Sequence, residues 1–241
     1  SKLRGVEAHL RTKIDEGVEY IGVLDTVHSK AGWGVSWLCS RLSLQCINFY
    51  PVYKSEIGLR PNQEEAAKLK ALLIPLQAGR SFILYHQAKK QFAAYVAHYS
   101  GYMMPNALKL EESVEETARE VVEYTPKEYQ CGTWIVSISS GTIGAGVVRG
   151  LLRLGLEDNV SILFHLGYSR DENKVASYIQ NAAGGWMPNT FMVDEQYEYK
   201  DSVDVKVPFP CNPYYDAKAF LWLRDNIKTL DQPIIFWNIG A

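Results

Sequence analysis

The sequence predicts an α/β fold, a mostly parallel sheet covered by helices on both faces. Three observations predict it. Short β-branched apolar runs alternate with helical patterns along the whole chain, the order of βαβ units. With 241 residues, 47% of them hydrophobic and 12% aromatic, the chain can bury a large core, as one domain or two small ones. Finally, residues 134–154 pass from a buried-strand run through a small-residue turn into a helical pattern, which is how a strand enters its crossover.

Taken in order, Lys2 stands just before an amphipathic helix with Leu3, Val6 and Leu10 on one face. A strand at 20–24, a helix at 32–42 and a strand at 45–50 follow. Next come a helix at 62–72, with Asn62 as its cap, a short strand at 73–76 and a long helix at 81–98. Residues 110–124 form a helix whose early Glu111, Glu112, Glu115 and Glu116 suit the positive end of its dipole, and this acidic face is expected in solvent. Trp134, Ile135, Val136 and Ile138 make a strand, and Val147, Val148, Leu151, Leu152 and Leu154 the apolar side of the helix after it. A strand at 161–166, a helix at 172–180, a helix at 215–227 and a strand at 233–237 complete the alternation. Segments 101–110 and 183–213 read as irregular, of the kind that borders a cleft. No repeat is visible.

Composition excludes several roles. A net charge of −2 makes no electrostatic case for nucleic acid, although a local basic groove stays open. No apolar run approaches the ~20 residues of a membrane span, and no signal peptide is expected. Cys39, Cys46, Cys131 and Cys211 lack metal-ligand spacing and read as reduced thiols of a cytoplasmic protein. His86, His98 and His165 show no ligand pattern. Ser1 opens the chain without Met, so residues before it are expected to have been lost or processed.

The turn Ser139-Ser140-Gly141-Thr142-Ile143-Gly144 carries the strongest chemical signal. Glycine lets the backbone approach a ligand, free N–H groups at a helix start point toward it, and hydroxyls add donors. Three readings compete: a tight strand-to-helix connection, a dinucleotide site with GxxGxG in place of GxGxxG, and a cofactor phosphate loop. A second turn, DTVHSKAG at 25–32, resembles it and suits a carboxylate on its N–H groups, or is an ordinary connection.

Read together, SKLRG, the GVLDTVHSKAGWG loop, SISSGTIGAGV, NPYYDAKA and IIFWNIGA resemble, in order, the motifs of fold-type II pyridoxal phosphate (PLP) enzymes. The similarity is nearest to the D-cysteine desulfhydrase and aminocyclopropanecarboxylate deaminase branch. It implies a two-domain, three-layer αβα fold, with a small domain at 4–104 and a large one at 105–241 plus residues 1–3. It implies PLP as cofactor, Schiff-base chemistry on an amino acid or amino-acid-derived substrate, and elimination, replacement or deamination as the reaction. A homodimer is the common family state. By the same resemblance Lys2 is the Schiff-base lysine, Ser29 the substrate-carboxylate or proton-shuttle residue, and Tyr215 the tyrosine beside the cofactor. Ser139, Ser140, Gly141, Thr142, Ile143 and Gly144 hold the phosphate, and Asn238 lies by the pyridine nitrogen.

Departures accompany the match. Lys30 replaces the ring-contacting Asn and is a second candidate for the Schiff base. Ile239 replaces the hydroxyl partner of the pyridine nitrogen, leaving Asn238 as its polar neighbour. A ring nitrogen without an acidic partner is a weaker electron sink, which favours β-elimination or replacement. The resemblance implies a further segment before the lysine, which is expected to have preceded Ser1. Other readings are the same chemistry on an amino acid attached to a carrier, including a modified DNA base, suggested by Lys30 and the aromatic segment 186–199. A nicotinamide oxidoreductase, from the glycine loop and Tyr214-xxx-Lys218, is hard to reconcile with a loop in mid-chain. A non-catalytic scaffold of the same fold also remains.

Overall fold

The computed structural model describes residues 2–53 and 58–239; Ser1, where the chain opens, and Gly240-Ala241, the tail of the last motif, lie outside the described residues. The chain divides into two compact units, Leu3–Leu110 and Glu111–Ala241 with Ser1–Lys2.

The first unit contains α1 (Lys2–Asp15), β1 (Tyr20–Leu24), α2 (Ala31–Arg41), β2 (Gln45–Val52), α3 (Pro61–Lys68), β3 (Leu72–Gln77), α4 (Ser81–Tyr95) and β4 (Gly101–Met103). Its sheet has the order β3-β2-β1-β4, every pair parallel, with Tyr20 in register with Gln45 on one side and Gly101 on the other. Apolar residues are buried on both faces, as a parallel sheet under helices requires. Ile21 and Val23 pack with Val6, Leu10, Val35 and Leu38. Leu24, Ile47 and Phe49 pack with Leu84, Ala88 and Phe92.

The second unit contains α5 (Glu111–Tyr124), β5 (Gly132–Ile138), α6 (Thr142–Arg153), β6 (Val160–Leu166), α7 (Glu172–Ala183), β7 (Thr190–Val193), α8 (Asp216–Asn226) and β8 (Ile234–Trp237). Its sheet, β7-β6-β5-β8, is also parallel and repeats the winding of the first. Along β5 and β6 the side chains alternate: Trp134, Val136, Ile162 and Phe164 join the core with Val147, Leu151 and Ile179. Ile135 and Leu163 turn to Ala219 and Leu223 of α8. In each unit the chain winds outward from its first strand through the second to the third. It then crosses back to set its last strand on the other side of the first, so the order reverses between β1 and β4 and between β5 and β8. Ligands bind in the crevice this switch leaves at the carboxyl ends of the strands.

Several expectations change. Strands β4 and β7 lie inside segments expected to be irregular; they are edge strands of three and four residues, too short to show a period. Helix α3 stops at Lys68, because Lys70 turns left-handed (φ 64°) and Leu72 already belongs to β3. Asn62 lies inside α3, whose cap is Arg60, and donates from Nδ2 to the Ser29 carbonyl at 3.3 Å. The acidic face of α5 is partly engaged: Arg149 pairs with Glu111 and Glu115, and Arg153 with Glu115 at 2.6 Å. α6 lies so close to α5 that a Cβ on Gly150 would stand 2.5 Å from Val121 Cβ.

Candidate active site

Between β5 and α6 the turn is Ser139-Ser140-Gly141, and Gly141 takes φ 86° and ψ −7°, a left-handed conformation natural to glycine. A Cβ there would come 3.0 Å from the Tyr178 ring and 3.1 Å from Ile179. The first intrahelical bond runs from Ala145 N–H to the Gly141 carbonyl at 2.8 Å. The N–H groups of Thr142, Ile143 and Gly144 therefore have no intrahelical acceptor, and no acidic residue occupies the first turn. Three hydroxyls join them: Ser140 Oγ is 3.2 Å from Thr142 Oγ1, itself 3.4 Å from the Tyr178 hydroxyl. Arg170 holds the lip by donating to the Ser139 carbonyl. A cradle opened by Gly141 and lined by N–H and hydroxyl donors fits a phosphate ester, and so fits PLP.

Strand β8 lies beside β5, with Val136 in register with Trp237, so Asn238 and Ile239 emerge at the same edge as Ser139. Asn238 donates from Nδ2 to the Pro210 carbonyl at 2.8 Å. A further carboxyl, outside the expected set, belongs to this edge. Asp216, the first residue of α8, is 2% exposed and accepts the backbone N–H of Ile239. Burial pushes it up to about 7, and its Oδ1 has no hydrogen-bond partner among the described residues. The pyridine-nitrogen edge implied by the motif therefore has an acid beside it. Its neighbour Tyr215 packs its ring on Gly167, where a Cβ would stand 2.7 Å from Tyr215 Cδ1. Burial and a hydrogen bond with Tyr199 raise the Tyr215 phenol above the ordinary tyrosine range, so it keeps its proton at neutral pH. Tyr199 in turn meets Tyr168 edge-on at 4.9 Å.

Lys2 opens α1, and its carbonyl accepts from Ser113 Oγ at 3.2 Å at the start of α5. α5 packs against α6, so the main chain of Lys2 is tied to the helix layer that carries the cradle.

Ser29 and Lys30 belong to the other unit, after β1. Ser29 Oγ accepts the Ala31 N–H at 3.0 Å, and Asp25 Oδ1 accepts from Thr26 at 2.9 Å and Gly32 at 3.2 Å. N–H groups that could have held a substrate carboxylate are thus taken by the protein itself. Asp25 is 1% exposed, and burial pushes its carboxyl up to about 7. Lys30 is exposed. The structure thus brings together the cradle residues and Asn238 at one end of the sheet, with Tyr215, just before α8, packing its ring on Gly167 after the neighbouring strand β6. It adds Tyr178, Arg170, Tyr199 and Asp216. Of these, only Asp216 had a sequence signal, its place beside Tyr215 in NPYYDAKA.

Among the described residues no group of three or more His, Cys, Asp or Glu is placed to hold a metal, and no helix is long and apolar enough to cross a membrane. No protein-family model matches the chain. The glycyl-dTMP PLP-dependent decarboxylase of Pseudomonas phage M6 is 44% identical over 248 residues, spanning 100% of this chain and 87% of that protein. Among solved structures, an ACC deaminase homologue superposes with a TM-score of 0.80 at 18% identity, over 99% of this chain and 79% of its own. The O-acetylserine dependent cystathionine beta-synthase of Helicobacter pylori gives 0.63 at 14% identity, over 100% and 82%.

Proposed function

The chain belongs to the fold-type II PLP-dependent enzymes, and from that premise we propose that it removes the carboxyl group of a glycine carried on a thymidine nucleotide. The observation that carries this reading is the 44% identity, along the whole chain, to the phage M6 protein, whose name states that chemistry. It favours a carrier-attached amino acid over a free one, and decarboxylation over the elimination or deamination that the motifs suggest.

The cradle residues would hold PLP by its phosphate, and the bound cofactor would supply an aldehyde for the substrate amine and an electron-withdrawing ring for the charge left at Cα by decarboxylation. The protein's groups divide the remaining work. Thr142, Ile143 and Gly144 present N–H groups to the cofactor phosphate, and Ser140, Thr142 and Tyr178 add hydroxyls beside Ser139, whose carbonyl Arg170 holds. Lys2 supplies the amine that carries the cofactor between turnovers. Asp216 holds a proton at the ring-nitrogen edge, which strengthens the electron sink. Tyr215, a phenol that stays protonated, returns a proton to the carbon that has lost its carboxylate.

The test uses the PLP-loaded protein. Glycyl-dTMP is expected to release carbon dioxide, and free glycine is not. Borohydride reduction followed by peptide mapping is expected to place the pyridoxyl group on Lys2; a mark on Lys30 would move the carrier role there. Turnover of free amino acids with no release from glycyl-dTMP would overturn the proposed substrate.

A further inference from the structure

Lys218 is 0% exposed, and among the described residues no carboxylate forms an ion pair with it. Its ammonium donates to the Gly167 carbonyl at 2.6 Å and lies 4.5 Å from the centre of the Tyr197 ring. A buried ammonium is costly unless its donors are used, so a lysine kept here calls for a reason beyond filling space.

Gly167 supplies that reason, because everything around it converges on the site. Its N–H donates to the Ile138 carbonyl at 3.0 Å, at the root of the phosphate cradle. Its missing side chain makes room for the Tyr215 ring. Three residues on, Arg170 donates to the Ser139 carbonyl at the cradle's lip. The carbonyl of Tyr197, whose ring lies under the ammonium, accepts the Ser169 N–H at 2.7 Å, closing the loop 167–170 from the other side. Lys218 follows Tyr215 by one helical turn, so the brace and the tyrosine move with the same end of α8.

We propose that Lys218 is a positioning residue that clamps the Gly167–Arg170 loop between the phosphate cradle and Tyr215, setting cofactor grip and proton delivery together. This rests on PLP as the cofactor and not on the identity of the substrate.

Lys218→Met keeps the volume and removes the donor, and Lys218→Gln keeps a donor without the charge. Both are compared with the wild type by PLP titration of the apoprotein, by the absorption band of the bound cofactor, and by thermal unfolding. Lys218→Met is expected to unfold within a few degrees of the wild type, since apolar replacement of a buried charge is often tolerated. It is expected to weaken PLP about tenfold or more, the loss of one charge-assisted bond. Lys218→Gln should restore PLP affinity to within about threefold. On substrate, Lys218→Met should lower kcat much more than it changes KM, as expected when Tyr215 is misplaced. Wild-type PLP affinity and kcat in a folded Lys218→Met would overturn the clamp. If Lys218→Met does not fold, Lys218→Gln decides: a folded protein that loses PLP as described for Met would show that the donor is not what matters. Failure of glycyl-dTMP turnover in the wild type leaves the PLP titrations readable, so the two proposals fail separately.

Discussion

The buried carboxyl of Asp216 accepts the backbone N–H of Ile239, the residue that stands where the motif would place a hydroxyl partner for the pyridine nitrogen. From the sequence only Asn238 stood at this edge as a polar neighbour, and an edge without an acid argued for β-elimination or replacement. With an acid held near 7 beside it, the edge suits a reaction that must draw a full electron pair into the ring.

Asp216→Asn should therefore keep the cradle and bind PLP, yet slow decarboxylation by about a hundredfold or more, the scale of a lost general acid. Single-turnover release of carbon dioxide from the loaded variant checks it. A variant with wild-type turnover would remove Asp216 from the chemistry.

Tyr215→Phe preserves the ring that packs on Gly167 and deletes the hydroxyl. The phenol is raised above its ordinary range, so it does not ionise across neutral pH. The expected outcome is a kcat lower by about a hundredfold with the alkaline limb of the pH profile unmoved. Should that limb vanish in the variant, Tyr215 would be the titrating base instead of the proton donor.

Asp25 makes stability depend on pH, with a sign opposite to that of a salt-bridged carboxylate. Its carboxyl rises from an ordinary 3.8 to about 7 because burial disfavours the charge. The folded state then holds a proton that the unfolded state has released. Its contribution is complete below about pH 4 and is lost as pH climbs to about 7. Asp25→Asn keeps an oxygen for the Thr26 and Gly32 N–H groups but cannot ionise. At about pH 8 it should exceed the wild type by up to about 4 kcal/mol in urea unfolding, with the gap shrinking toward about pH 4. A gap of equal size at both pH values would exonerate Asp25.

The cradle was legible because its chemistry is local: a strand, a glycine turn and a helix start follow one another in sequence. Tyr178, Arg170 and Tyr199 were not, because they arrive from a helix face and two loops whose sequence holds no mark of their destination. Strands β4 and β7 escaped for a related reason. Their identity comes from pairing with Tyr20–Gly22 and with Ile162–His165, not from their own few residues. The repeated winding of the two sheets left no sequence repeat, since topology is kept by element order and not by side chains.

Gly141 and Gly155 separate the cost of a backbone from the cost of a site. Gly155, after the end of α6, has φ 67°, and a Cβ added there would meet nothing within 4 Å. Alanine there should cost about 1–2 kcal/mol of stability, the strain of a left-handed residue, and leave PLP affinity alone. Gly141 has φ 86° and, in addition, the Tyr178 ring 3.0 Å from where the methyl would go. Relief of that contact must shift either Tyr178, whose hydroxyl serves the cradle, or the turn that aims the N–H groups. Gly141→Ala should thus lose similar stability and also weaken PLP by about tenfold or more, read by titration of the apoprotein beside the Gly155→Ala control. Equal PLP affinities in the two variants would mean that the turn's conformation, and not its fit around a phosphate, is what glycine serves at position 141.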